Sequence, residues 1–289
     1  MTPVFFNPLQ DIGEEWISMA KIPEFVGQIG RDYTRSKVAT LADVSTAHDW
    51  IWAMDVNGGD LSNGFGNKSG HVMNYVMASV GSFISAADFA LEHNTVACSA
   101  SQGFHHASYA SCYGFCTFNG LMIAAVRQLR KGVPRVMIVD GDGHYGDGTD
   151  DIRQRLGVEA RVSHITRNML GVPRHSNWES SLWAAYFKDL IREHSPGIIY
   201  YQAGADAWLE DPFGAGYLSK DGLAYRDRGL FQAAKKEGVP VVWNLAGGYA
   251  DPMQLTIDLH LQTLKISDEV YHGTADSTKV PPQRTEIIR

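Results

Sequence analysis

The chain has 289 residues, of which 44% are hydrophobic, 11% aromatic and 20% charged, with a formal net charge of −7. This composition belongs to a folded globular chain with enough apolar residues for a sizeable core. The acidic balance argues against a nucleic-acid partner, the three cysteines (Cys98, Cys112, Cys116) show no disulfide framework, and no apolar run is long enough to span a bilayer.

The N-terminus, MTPVFFNPLQ, lacks a basic start followed by an apolar run, so no signal peptide is read there and a cytoplasmic location is expected. Residues 58–70 are rich in Gly, Asn and Ser and read as a long loop, a class that often carries function. Residues 71–91 then hold apolar side chains at helical spacing. From there a short β-branched run, a glycine-rich turn and a helix recur in turn. Strands are predicted at 95–99, 135–139, 161–165, 197–201 and 240–245, and helices at 118–130, 183–194, 223–237 and 255–266. Alternating strands and helices predict an α/β fold: a single domain over residues 1–272, with a mostly parallel sheet covered by helices on both faces. A polar tail with Pro281-Pro282 occupies 273–289 and is expected to be loosely held.

In open α/β sheets, ligands bind at the carboxyl ends of the strands. Polar groups gather there in this sequence. Residues 101–106 follow the first predicted strand and include His105-His106. DGDGHYGDG, at 140–148, follows the second. AGAD, at 203–206, follows the fourth, and AGGY, at 246–249, the fifth.

In DGDGHYGDG, Asp140, Asp142 and His144 alternate with glycines, and alternate residues of an extended chain share one side. Two carboxylates and an imidazole there suit a divalent cation, and Asp206 can add a third or fourth ligand from a neighbouring strand. An isolated Asp-Gly-Asp is usually only a turn; the other strand-end segments strengthen the metal reading. Two Asp with one neutral His cancel a dication's charge, so bound water is acidified less than by three imidazoles. A separate general base is then needed, and His105-His106 can supply it. Tyr249 reads either as an aromatic in a turn or as a phenol donating to a developing oxyanion, with Gly247 and Gly248 allowing close approach.

Four segments, GFHHASYASCYGFCTFNG (103–120), VDGDGHYGDG (139–148), AGADAWLEDPFG (203–214) and LAGGY (245–249), resemble the histone deacetylase and deacetylase-like family of the arginase–deacetylase fold, in the same order. A weaker likeness extends back through residues 69–91. The resemblance implies zinc ligands at Asp142, His144 and Asp206, one ion per chain, with iron(II) able to replace zinc. It implies that His106 is general base and then acid, with His105 as its electrostatic partner, and that Asp140 and Asp147 orient His105 and His106. It further implies that Tyr249 polarises the substrate carbonyl, that Gly114 and Phe115 line a narrow acyl-lysine channel, and that potassium binds near Asp140, Asp142 and His144. The expected activity is hydrolysis of an N-acyl-amine such as acetyl-lysine, an acetylpolyamine or a related small amide; a homo-oligomer is compatible with it.

The chain also departs from the family pattern. Ser101-Gln102-Gly103-Phe104 replaces Arg-Pro-Pro-Gly, Tyr145 replaces a histidine, and the run reads Gly204-Ala205-Asp206-Ala207. Residues 166–183 are short and lack the segment holding the second channel aromatic, leaving Trp178 or Met169 to take its place. A wider or differently shaped pocket is therefore expected. Trp208 and Phe213 read as rim, interface or core residues, and Cys116 as packing near the site rather than pairing with Cys112. His48, His71, His164, His175, His194, His260 and His272 read as surface or structural. Two other readings remain: a binuclear-manganese ureohydrolase, for which Ala207 and Trp208 stand where more carboxylates are needed, and a non-catalytic acyl-amine binding protein, which the retained Tyr249 and histidine pair disfavour.

Overall fold

Val136-Met137-Ile138-Val139 and the neighbouring run Ile198-Ile199-Tyr200-Tyr201 are buried throughout, as strands covered on both faces must be. The computed structural model describes residues 1–13, 16–166, 178–213 and 216–273. The elements run β1 (Val4–Phe6), α1 (Ile17–Gln28), β2 (Thr34–Arg35), α2 (Leu41–Val44), α3 (Trp50–Gly58), α4 (Gly70–His93), β3 (Val96–Ser99), α5 (Gly120–Arg130), β4 (Val136–Asp140), α6 (Asp147–Leu156), β5 (Val162–Ile165), α7 (Ser180–His194), β6 (Ile198–Gln202), α8 (Lys220–Glu237), β7 (Val241–Asn244) and α9 (Gln254–His272).

Among the described residues the strands form a seven-stranded sheet in the order β2-β1-β3-β7-β6-β4-β5, with every pairing parallel. This is the parallel, doubly covered sheet that the resemblance to the arginase–deacetylase fold implies. Side chains alternate across it. Tyr200 meets Phe83 of α4 with ring centroids 5.1 Å apart, whereas the next residue, Tyr201, meets Phe231 of α8 at 6.0 Å. Adjacent tyrosines thus anchor helices on opposite faces of the sheet.

Helix ends follow local chemistry. The Ser69 side chain accepts the Val72 amide at the start of α4, Asn119 accepts that of Met122 at the start of α5, and Ser219 accepts that of Gly222 at the start of α8. The residues between α3 and α4 form the predicted loop. Helix α6 was not predicted. Its sequence, DGTDDIRQRL, buries only Gly148, Thr149 and Ile152, too few to mark an apolar stripe. Acidic residues in its first turn, Arg153 and Arg155 in its last, and Gly157 beyond its end complement the helix dipole and termination instead. The short strands β1 and β2 also escaped the pattern, since two or three residues carry no detectable period.

Candidate active site

The carboxyl ends of β3, β7, β6 and β4 lie side by side, so the four polar segments converge. Asp140 is the last residue of β4. Beyond it the chain bends rather than continuing extended, and α6 begins at Asp147. The alternation predicted for DGDGHYGDG therefore does not extend past Asp140, yet Asp142 and His144 still meet because the bend folds both toward Asp206, which sits in a short 3-10 turn (Ala205–Ala207) after β6.

Candidate ligand atoms of Asp142, His144 and Asp206 lie within 4.8 Å of one another. His144 Nδ1 is 2.9 Å from Asp206 Oδ2 and 3.3 Å from Asp142 Oδ1. Backbone amides orient the carboxylates: Gly143 N–H donates to Asp206 Oδ1 and Gly247 N–H to Asp142 Oδ2, each at 2.9 Å. Gly247 has to be glycine, since a Cβ there would stand 2.4 Å from Asp206 Oδ2. Burial, and then the charge of Asp142, push Asp206 up to about 7. Hydrogen bonds to Asp142 and Asp206 raise His144 to about 10. Two buried carboxylates sharing one imidazole form an electron-rich cradle, and this donor set fits a divalent transition metal.

Beside the cradle stand two imidazole–carboxylate pairs. His105 Nδ1 is 2.7 Å from Asp140 Oδ2, and His106 Nδ1 is 2.7 Å from Asp147 Oδ1. With Nδ1 donating to a carboxylate, Nε2 is the nitrogen of each ring left to face the reaction. The two rings differ electrostatically. Burial works against charge on His105, but Asp140 and Asp142 outweigh it and lift it to about 9. Burial and the neighbouring His105 lower His106. The surroundings thus favour charge on His105 and disfavour it on the adjacent His106. Gly114 (φ +57°) lets the chain pass against His106, whose ring would be 2.8 Å from a Cβ there.

A cavity of about 230 Å³ opens over these groups. His105, His106, Asp142 and His144 line its polar side, and Phe115, Phe213 and Tyr249 its aromatic side. Tyr249 lies 4.5 Å from the Phe213 ring and 5.8 Å from Phe115. Burial, then Asp206 and Asp142, hold its phenol well above the usual range, so it stays a neutral donor.

Among the predicted residues, Gly114, Phe115 and Gly247 line the cavity. Gly248 stands behind it, its carbonyl accepting from Lys21 Nζ at 3.3 Å. Trp178 packs on Trp183 and Tyr186 instead of the channel, Met169 and His175 lie outside the described residues, and the phenylalanine that lines the cavity together with Phe115 is Phe213. Trp208 belongs to the core. Cys116 is a cavity-wall residue, and Cys98, Cys112 and Cys116 are free thiols.

Four contributors were not singled out as site residues from the sequence. Tyr113 donates to Asp147 Oδ2 at 2.6 Å, behind His106. His164 is buried with Nδ1 3.0 Å from Asp150 and Nε2 3.5 Å from Asp140. Lys21, on α1, is fully buried and donates to Ala246 O at 2.5 Å, while Asp211 accepts the Tyr249 amide at 2.8 Å. Lys21 and His164 come from α1 and β5, outside the four strand-end segments, and Tyr113 and Asp211, though inside segments 103–120 and 203–214, act through bonds to Asp147 and Tyr249 that those segments do not record.

Comparison with known proteins gives a consistent picture. The family model for the histone deacetylase domain matches residues 31–166 and 158–264. An uncharacterized protein of Picosynechococcus sp. is 30% identical over 217 residues, covering 70% of this chain and 72% of that protein. Histone deacetylase 2 of Arabidopsis thaliana is 29% identical over 193 residues, 59% of this chain, and the match spans 48% of its own length. In three dimensions, acetylpolyamine aminohydrolase from Burkholderia pseudomallei superposes with a TM-score of 0.72 over 93% of this chain and 99% of that one, at 14% identity, which establishes a common fold.

Proposed function

Because this chain belongs to the histone deacetylase family, we propose that it is a metal-dependent amidohydrolase removing the acyl group from an N-acyl-amine, either acyl-lysine or a small acylated amine. The observation that carries this reading is the convergence on one cavity of an Asp142–His144–Asp206 cradle, two imidazole–carboxylate pairs and the Tyr249 phenol.

The cradle would hold one zinc or iron(II) ion. Such an ion, when bound, supplies a Lewis acid that polarises the amide carbonyl and acidifies water. His106, neutral and oriented by Asp147, takes the proton of the attacking water at Nε2 and returns it to the leaving amine. His105, cationic and held by Asp140, steadies negative charge developing on the carbonyl oxygen, and Tyr249 donates a hydrogen bond to the same atom. Phe115 and Phe213 flank the acyl-amine and exclude water from it.

A single cluster of three candidate ligands is found among the described residues, which favours one metal over the binuclear manganese arrangement. The test is hydrolysis of acetyl-lysine peptides, acetylpolyamines and small amides, with and without a chelator, alongside metal analysis. Chelator-sensitive release of acid with one zinc or iron per chain is expected. Activity indifferent to chelation, or two manganese ions per chain, would overturn the proposal.

A further inference from the structure

Asp211 lies on the turn after β6, five residues beyond Asp206, and is only 4% exposed. Its two carboxylate oxygens are divided between two backbone amides. Oδ1 accepts the N–H of Phe213 at 3.1 Å, a local bond that shapes its own turn. Oδ2 accepts the N–H of Tyr249 at 2.8 Å, from the turn after β7 and 38 residues away. The residues so joined are the two whose rings meet edge-on at 4.5 Å on the cavity wall. On its other side the Tyr249 turn is gripped by Lys21, which donates to Ala246 O and Gly248 O.

We infer that Asp211 is a positioning residue that locks Tyr249 and Phe213 into one unit, so that the phenol and the cavity wall keep a fixed relation to each other. This rests on the proposed deacylation, in which Tyr249 donates to the carbonyl oxygen. The physical reasoning is local. Hydrogen bonds to a carboxylate are roughly twice as strong as neutral ones, and the Asp211 carboxylate that accepts both is itself buried. With two fixed acceptors on a short side chain, neither amide shifts without disturbing the other. A local turn bond alone would explain the Phe213 contact but leaves the 38-residue contact to Tyr249 without a purpose.

Asp211→Asn separates the two bonds. Asparagine readily supports the local turn through its one carbonyl, while its amide nitrogen turns a donor toward the donor N–H of Tyr249. Asp211→Ser, which retains the turn but is too short to span to Tyr249, serves as the second variant should asparagine fold poorly. In either, the Tyr249 amide should exchange with deuterium faster than in the parent protein, with metal content unchanged. Turnover should fall about ten- to a hundredfold, the loss typical when a donor near the chemistry is displaced by about 1 Å, with KM rising as the Phe213 wall loosens. In a Tyr249→Phe background the same Asp211 substitution should cost no further turnover, because its effect passes through the phenol. Unchanged exchange at Tyr249, or full additivity with Tyr249→Phe, would overturn the inference. If Tyr249→Phe itself left turnover intact, the catalytic reading of Tyr249 would fall instead, while the exchange measurement would still decide whether Asp211 holds the turn.

Discussion

Replacing Tyr249 with phenylalanine removes one hydroxyl and little else. The ring keeps its neighbours Phe115, at 5.8 Å, and Phe213, at 4.5 Å, and the backbone N–H keeps Asp211, at 2.8 Å. No contact with the Asp142–His144–Asp206 cradle passes through the ring in these bonds, so metal occupancy should not change. What disappears, on the proposed mechanism, is the neutral donor to the developing oxyanion, and loss of one such donor typically slows kcat by about 10²–10³-fold, or roughly 2.7–4 kcal/mol. Because burial keeps the phenol protonated well above its ordinary range, the loss should be the same at every pH where the enzyme works. Steady-state kinetics on an acetylated amine, normalised to metal content, reads this directly. A Tyr249→Phe protein with parental kcat, or one whose deficit vanishes on adding metal, would refute the assignment.

Three further outcomes follow from other parts of the molecule. In Gly247→Ala the new methyl would stand 2.4 Å from Asp206 Oδ2 and 2.7 Å from Asp142 Oδ2, so metal affinity should drop by about tenfold or more; elemental analysis after dialysis would show parental stoichiometry if the reasoning is wrong. In the proposed mechanism His106 is the neutral base, and burial plus the adjacent His105 lower it from its ordinary 6.5; kcat/KM should therefore climb with pH through a midpoint under 6.5, and a bound dication would push that midpoint further the same way, so a midpoint above 6.5 would contradict the assignment of His106 as base. Phe83, fully buried against Phe104 and Tyr200, should cost about 3–5 kcal/mol when cut to alanine, and thermal or denaturant unfolding showing under about 1 kcal/mol would mean that this face of the sheet repacks.

What could be read from the chain without coordinates was whatever repeats locally or recurs as a short motif. The β-branched runs and the helical stripes of α4, α5, α7, α8 and α9 announced a parallel sheet with covered faces, because side-chain period is a local property. The segments after the strands announced chemistry, because polar clusters have no place at a buried sheet's edge unless they are used. Helix α6 stayed hidden since its stabilisation comes from end charges and a glycine terminus rather than an apolar stripe.

Only the tertiary arrangement decided which groups serve which. Asp140, Asp142 and His144 looked equivalent by spacing, yet the bend after β4 sends Asp142 and His144 to Asp206 and leaves Asp140 to His105. Phe213, not Trp178, became the second aromatic wall because the Asp211 turn lifts it to the rim while Trp178 is drawn into the cluster around Trp183. Lys21 on α1 and His164 on β5 reach the site from far along the chain, while Tyr113 and Asp211, though near His106 and Asp206 in sequence, bond to Asp147 and Tyr249, 34 and 38 residues away; such pairings are set by how the layers pack, which no local pattern of residues records.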